Sequence, residues 1–312
     1  MNIKPGYENI FKKGKLTFGF IMPLESYPDS AFPSMENHSN LAIKADQCGF
    51  SALWLRDIPF YDPSFGDVGQ IFDPMVYLGY LVAQTKKITL GTAGIILPLK
   101  EPLVIAKQAA SLDHLSQGRF ILGLSTGDRP IEYPAFGQDF ELRAERFREA
   151  IQIIKTVTSI SYPQLSTHHY GRLSGDLDLV PKPIASQIPL IIVGRAQQDL
   201  SWIADNSDGW IWHRGSFEHL QNTIKVWRES FNESIFKPYG YGTFFDLDKD
   251  PDAPVRMMWS GFSAGRNSLI RLWKEQESLG VNHVALNLKM LSRPATEVMD
   301  ELAEYVLPHF SI

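Results

Sequence analysis

Cysteine is nearly missing from this chain: Cys48 is the single one among 312 residues. That excludes a disulfide framework and a cysteine-rich metal site, and it suits a reducing compartment. Long apolar runs are missing too. None approaches the roughly 18 residues that a membrane-spanning helix needs. Met1-Asn2-Ile3-Lys4-Pro5-Gly6 lacks the apolar core of a secretion signal. The expectation is a cytoplasmic protein without a membrane anchor. Positive charge is not in excess, with 30 Lys and Arg against 35 Asp and Glu for a net charge of −5. Nothing in that balance calls for nucleic acid or an anionic membrane as partner.

Several chemistries lack their residues as well. The eight histidines (38, 114, 168, 169, 213, 219, 283 and 309) never pair at a zinc spacing, so no metal site is expected. Ser125 follows Leu124 rather than standing in a Gly-x-Ser-x-Gly elbow, and Cys48 falls late in a predicted helix, so nucleophilic catalysis has little support. Asp57 and Asp128 are available for two-carboxylate chemistry, but spacing alone does not set their separation.

What is present is a regular alternation of short apolar runs and amphipathic helices. Apolar residues make up 44% of the chain and aromatics 12%, ample for a large core. Leu16 to Met22 reads as the first strand and Ser34 to Cys48 as a helix, with Ser34 as N-cap and Gly49 as stop. Ala52 to Leu55 is the second strand, delivering Arg56 and Asp57. After a loop from Ile58 to Phe72, Asp73-Pro74 opens a helix to about Gln84. Ile88 to Gly91 is the third strand, running into Thr92-Ala93-Gly94, and a helix follows from Pro102 to Leu115. The fourth strand, Phe120 to Leu124, enters the turn Ser125-Thr126-Gly127, and the run from Glu141 to Ile154 is helical.

An excursion is expected over 161–187. Pro189 to Val193 is then the fifth strand, followed by Gly194-Arg195-Ala196 and a helix to about Asn206. Trp210 to Trp212 is the sixth strand, ending in His213-Arg214. Residues 235–254 read as a second excursion, Val255 to Trp259 as the seventh strand, and Val284 to Leu288 as the eighth. Eight such units fill 1–312 as one domain, a parallel (β/α)8 TIM barrel. A doubly wound sheet is disfavoured because no Gly-x-Gly-x-x-Gly turn follows the first strand.

Barrel enzymes work at the carboxyl ends of their strands. Gly194-Arg195-Ala196 at a helix start offers N–H groups, a helix dipole and a guanidinium to a phosphate, and Gly265-Arg266-Asn267 offers a similar set. Of Trp210 and Trp212, one is expected inside the barrel and the other under the helices.

Gly118-Arg119-Phe120-Ile121-Leu122-Gly123-Leu124-Ser125-Thr126-Gly127, Glu132-Tyr133-Pro134-Ala135-Phe136-Gly137 and Arg143 to Ile151 together resemble the signature of the bacterial luciferase-like monooxygenases. Ile88 to Gly94, Pro181-Lys182-Pro183 before Pro189 to Gly194, and Asp208-Gly209-Trp210 extend the resemblance. It implies a barrel with an excursion after the fourth unit, usually a homodimer. It also implies a cofactor across the strand ends, reduced FMN supplied by a separate flavin reductase, or a deazaflavin. Thr92, Ala93 and Gly94 match the bulge behind the flavin ring, Ser125, Thr126 and Gly127 the turn beside it, and Gly194, Arg195 and Ala196 the phosphate turn.

The implied reaction is oxygenation of a small organic substrate by O2 through a flavin hydroperoxide. His213 and Arg214 are the candidates for acid–base work and anion stabilisation, and Tyr133 for a substrate contact. Deazaflavin-dependent hydride transfer and flavin binding without turnover are the alternatives. Arg56-Asp57-Ile58-Pro59 departs from the Glu-His pair common in relatives, so the usual catalytic histidine is not expected there.

Overall fold

The computed structural model describes residues 4–213, 217–232, 234–258 and 261–310. Eight parallel strands close on themselves: β1 (Thr17–Ile21), β2 (Ala52–Leu55), β3 (Thr89–Thr92), β4 (Phe120–Ser125), β5 (Leu190–Val193), β6 (Gly209–His213), β7 (Tyr239–Leu247) and β8 (His283–Asn287). Each pairs with the next, from Gly19 beside Ala52 to Tyr241 beside Val284. The ring closes where Phe18 lies beside Val284. The strands are apolar on both faces because one face meets the barrel interior and the other the helices.

The floor of the barrel is sealed. The helix Pro5–Ile10 lies across it, and Ile10 and Phe11 join Trp54, Ile121, Ile191 and Ile211 in one buried cluster. Within that end, the His283 ring accepts the Trp54 indole N–H at 2.9 Å through Nε2 and meets Thr17 Oγ1 at 2.8 Å through Nδ1. With this end filled by side chains, ligand access is left to the other.

The seventh strand differs from expectation. It is Tyr239–Leu247, inside the stretch read as an excursion, while Arg256–Met258 is a short strand antiparallel to Gly261–Ala264. Trp259, the last residue assigned to the expected strand, lies outside the described residues. Gly240 and Gly242 made the segment look like a loop, but a Cβ on Gly240 would come within 2.9 Å of the His283 carbonyl oxygen. Glycine there answers crowding inside the barrel, not a turn. In 161–187 the expected irregular excursion carries a small hairpin, Gln164–Ser166 against Arg172–Ser174.

The first long helix also starts late, at His38, with Asn37 at its N-cap. Glu25 takes the backbone N–H groups of both Ser34 and Met35, and Met35 adopts a φ of 59°. Ser34 is therefore held in a turn rather than at a helix start. Asp73, by contrast, caps the helix Pro74–Gln84 as its sequence suggests, with Oδ1 accepting from Met75 and Val76 N at 3.0 Å each. Asp73→Ala should cost about 1 kcal/mol, read as a lower urea midpoint; an unchanged midpoint would mean that the cap contributes nothing.

Candidate active site

At the carboxyl ends of the strands lies an open cavity of about 940 Å³, at the upper end of the range for small-molecule sites. Ala93 and Gly94 after β3, Ser125 to Arg129 at and beyond the end of β4, Val193 to Gln197 at β5, and Trp212 with His213 in β6 all line it. Segments far apart in sequence thus form one wall, because parallel strands of a closed barrel end at one rim.

The local chemistry holds this wall rigid. Thr92 Oγ1 donates to the Gly123 carbonyl at 2.7 Å and accepts the Gly123 N–H at 2.9 Å, replacing ladder bonds where β3 leaves β4. Thr92 is fully buried and does not line the cavity; its role is to hold the Ala93–Gly94 bulge in place. Ser125 Oγ donates to the Gly94 carbonyl at 3.1 Å, joining the bulge to the neighbouring turn.

Tyr133 is also a correction. It is fully buried, its hydroxyl donates to the Thr126 carbonyl at 2.5 Å, and its ring meets Phe140 edge-on. It braces the turn from behind and does not line the cavity. Its neighbour Glu132 lines the cavity instead. The short helix Glu132–Ala135 turns successive side chains about 100° apart, so one residue faces the cavity and the next the core.

His213 stands at the rim with its ring against Trp212 at 4.7 Å, and partial desolvation holds its imidazole below the ordinary histidine value. Arg214 lies outside the described residues. Trp210 and Trp212 are not divided between two faces: their rings lie 5.3 Å apart, as residues two apart on a strand must share a face. Trp210 is buried and Trp212, nearer the strand end, reaches the cavity.

The expected phosphate turn keeps its guanidinium but not its helix. Arg195 is exposed at the cavity edge, with its guanidinium 6.0 Å from the Trp212 ring centre. The following helix starts only at Leu200, where Asp199 already accepts the Trp202 N–H at 2.7 Å. A carboxylate therefore occupies that helix start. Arg266 is engaged elsewhere, paired with Glu301 at 2.9 Å and stacked on Tyr305, and it does not line the cavity.

Sequence reasoning noted Arg56 and Asp57 but missed a charged wall around them. Asp67 accepts from Arg56 Nη1 at 2.8 Å and from the Tyr27 hydroxyl at 3.1 Å, with Lys289 Nζ 3.8 Å away. Despite its burial, the Asp67 carboxyl is held below its usual value by Arg56. Asp57 accepts the Ile96 N–H at 2.9 Å and faces Lys100 Nζ at 3.2 Å, and burial raises its pKa. No local motif marks Asp67 or Lys289, which come from a loop and from the turn just beyond β8, and although Glu132 opens the signature-like run Glu132 to Gly137, only folding shows that it reaches the cavity.

A family profile described as luciferase-like monooxygenase matches residues 16–253. Among curated relatives, a putative coenzyme F420-dependent oxidoreductase of Mycobacterium tuberculosis is 28% identical over 186 residues, covering 56% of this chain and 50% of that protein. The 4-hydroxyprotoasukamycin monooxygenase of Streptomyces nodosus subsp. asukaensis is 28% identical over 180 residues, covering 57% and 47%. The chain thus spans about half the length of these curated relatives. A crystallised monooxygenase from Streptomyces bottropensis has a TM-score of 0.76 at 18% identity, covering 95% of this chain and 100% of its own, which establishes the shared fold.

Proposed function

The chain belongs to the luciferase-like monooxygenase family, and from that premise we propose that it is a flavin-dependent monooxygenase that uses reduced FMN and O2 to oxygenate a small organic substrate. The observation that carries this reading is the union of Ala93–Gly94, Ser125–Gly127 and Gly194–Ala196 around one open cavity. Bulge, turn and rim arginine suit a planar ring system with a phosphate tail. The apolar lining of Ile96, Val193, Trp212, Phe244, Met258 and Met290 suits the ring and an organic substrate.

On this reading Ala93 and Gly94 back the ring, Ser125 to Gly127 flank it, and Arg195 pairs with the phosphate. Bound reduced flavin supplies the two electrons and the reactivity toward O2; that chemistry is the cofactor's own. The protein's part is to exclude water with the apolar wall and to present N–H groups and cations where negative charge develops. His213 Nδ1 or Nε2, neutral at pH 7 because its pKa lies below the ordinary value, is a proton acceptor at the rim. A separate reductase supplies the reduced flavin, and a homodimer is the proposed assembly.

The first test is anaerobic titration with reduced FMN, followed by intrinsic tryptophan fluorescence, to which Trp212 at the cavity wall contributes, and by thermal stability. No change in either signal would remove the flavin reading. Arg195→Met should weaken FMN binding about tenfold, as expected for one lost charged hydrogen bond, and leave riboflavin binding unchanged. Equal loss for both ligands would reject the phosphate role. Oxygen uptake with reductase-supplied flavin supports the monooxygenase. Hydride transfer with a deazaflavin instead would favour a second reading, motivated by the F420-dependent relative, and tight binding without either reaction would indicate a flavin carrier.

A further inference from the structure

We propose that Glu132 is a catalytic acid–base residue of this cavity, a carboxylic acid at rest that passes its proton to an oxygen atom of the bound ligand. Its side chain is 3% exposed yet lines the cavity. Among the described residues, its Oε1 has no hydrogen-bond partner. A buried carboxylate in that state would carry an uncompensated desolvation cost, whereas a carboxylic acid, or one completed by a ligand, would not.

The surroundings explain why the ion pair with Arg129 stays long and supplies no hydrogen bond. Arg129, three residues earlier, brings Nη1 only to 3.8 Å from Oε1. Its guanidinium is committed to the Phe60 and Asp67 carbonyls at 3.3 and 3.2 Å and lies over the Phe65 ring. Three carboxylates act on Glu132 through their charge: Asp57 beyond β2, Asp62 in the 58–72 loop, and Asp128 in the turn after β4. Burial raises the Glu132 pKa most, Arg129 opposes it, and the three acids add to it. Tyr133, bonded to Thr126 and packed on Phe140, fixes the helical turn that presents Glu132.

The step moves one proton. The carboxyl O–H breaks, an O–H forms on a ligand oxygen that has gained negative charge, and the carboxylate left behind faces Arg129. Water at the open mouth of the cavity returns the proton. The identity of the ligand as an oxygenated substrate rests on the flavin reading above, but the protonated resting state does not.

Two readouts separate them. In flavin-free protein at pH 7, infrared spectroscopy should show a protonated-carboxyl C=O band that disappears in Glu132→Gln. Loaded with reduced FMN, Glu132→Gln should consume O2 at least 30-fold more slowly at pH 7 and lose one ionisation from its pH–rate profile. Glu132→Asp should keep that ionisation at an intermediate rate. Absence of the band in the wild-type protein, or a Glu132→Gln rate within threefold of wild type with an unchanged profile, overturns the inference. Failure of the wild-type protein to bind FMN removes the flavin reading, and with it the ligand step, while the infrared band still decides the state of Glu132.

Discussion

Gly123→Ala is expected to destabilise the protein by about 3 to 5 kcal/mol, the scale of severe overpacking. A Cβ at Gly123 would stand 1.8 Å from the Thr92 carbonyl oxygen and 2.9 Å from its carbon. Both are backbone atoms of a paired barrel strand, so no side chain can swing aside. Relief requires β3 and β4 to separate, which breaks the Thr92 bonds to Gly123 and displaces the Ala93–Gly94 wall of the cavity. The melting temperature should fall by roughly 5 to 8 °C, with affinity for the proposed flavin lost in parallel. Gly79→Ala is the control: outside its own helical turn, no described residue comes within 4 Å of a Cβ there, the residue is inside the helix Pro74–Gln84, and helix propensity favours alanine by about 1 kcal/mol. A Gly123→Ala protein that melts within 2 °C of wild type would show that the two strands yield more easily than their packing indicates.

Acid should weaken the wild-type fold before its carboxylates titrate. Indole N–H is donor only, so His283 Nε2 must be the acceptor toward Trp54, and Nδ1 carries the ring proton toward Thr17. A second proton on Nε2 would set two N–H groups against each other in a fully buried site. Burial accordingly lowers the His283 pKa from 6.5 to about 3. Because the folded value lies below the unfolded one, the unfolded chain binds the proton first as pH falls. Stability is complete above about pH 6.5 and declines below it, by roughly 2 kcal/mol between pH 6.5 and 5. His283→Gln keeps an acceptor for Trp54 but cannot titrate. Its urea-unfolding free energy should therefore be flatter over that window, whatever its value at pH 7. Parallel pH profiles for the two proteins would place the acid sensitivity elsewhere.

Much of the barrel was legible in the sequence because a strand buried on both faces needs a continuous apolar run, and a helix needs a periodic one. β2, β4 and β5 announce themselves in this way, as does the Asp73 cap. β7 does not. Its glycines imitate a loop, and their cause, the proximity of His283 and Ile21, is a contact across strands that local pattern does not carry. The two tryptophans of β6 were misassigned for a simpler reason: a period of two puts residues 210 and 212 on one face.

The site was legible only as backbone. Ala93–Gly94, Ser125–Gly127 and Gly194–Ala196 could be placed at strand ends because their position along the chain decides which rim they reach. Side-chain direction was not available by that route. Thr92 turned into the wall, Tyr133 into the core, and Glu132, one residue away, toward the cavity. The dipole expected beyond Arg195 was already answered by Asp199.

By itself, then, the order of apolar runs and turns determined a parallel eight-unit barrel with its chemistry at one end, since closure of parallel strands leaves no other arrangement of their carboxyl ends. Tertiary structure alone decided which charges meet. Arg56 with Asp67, Lys100 with Asp57, and Arg129 at 3.8 Å from Glu132 are all fixed by packing between side chains and loops. Electrostatic energy depends on angstroms and burial, and neither quantity is written in the linear spacing of residues.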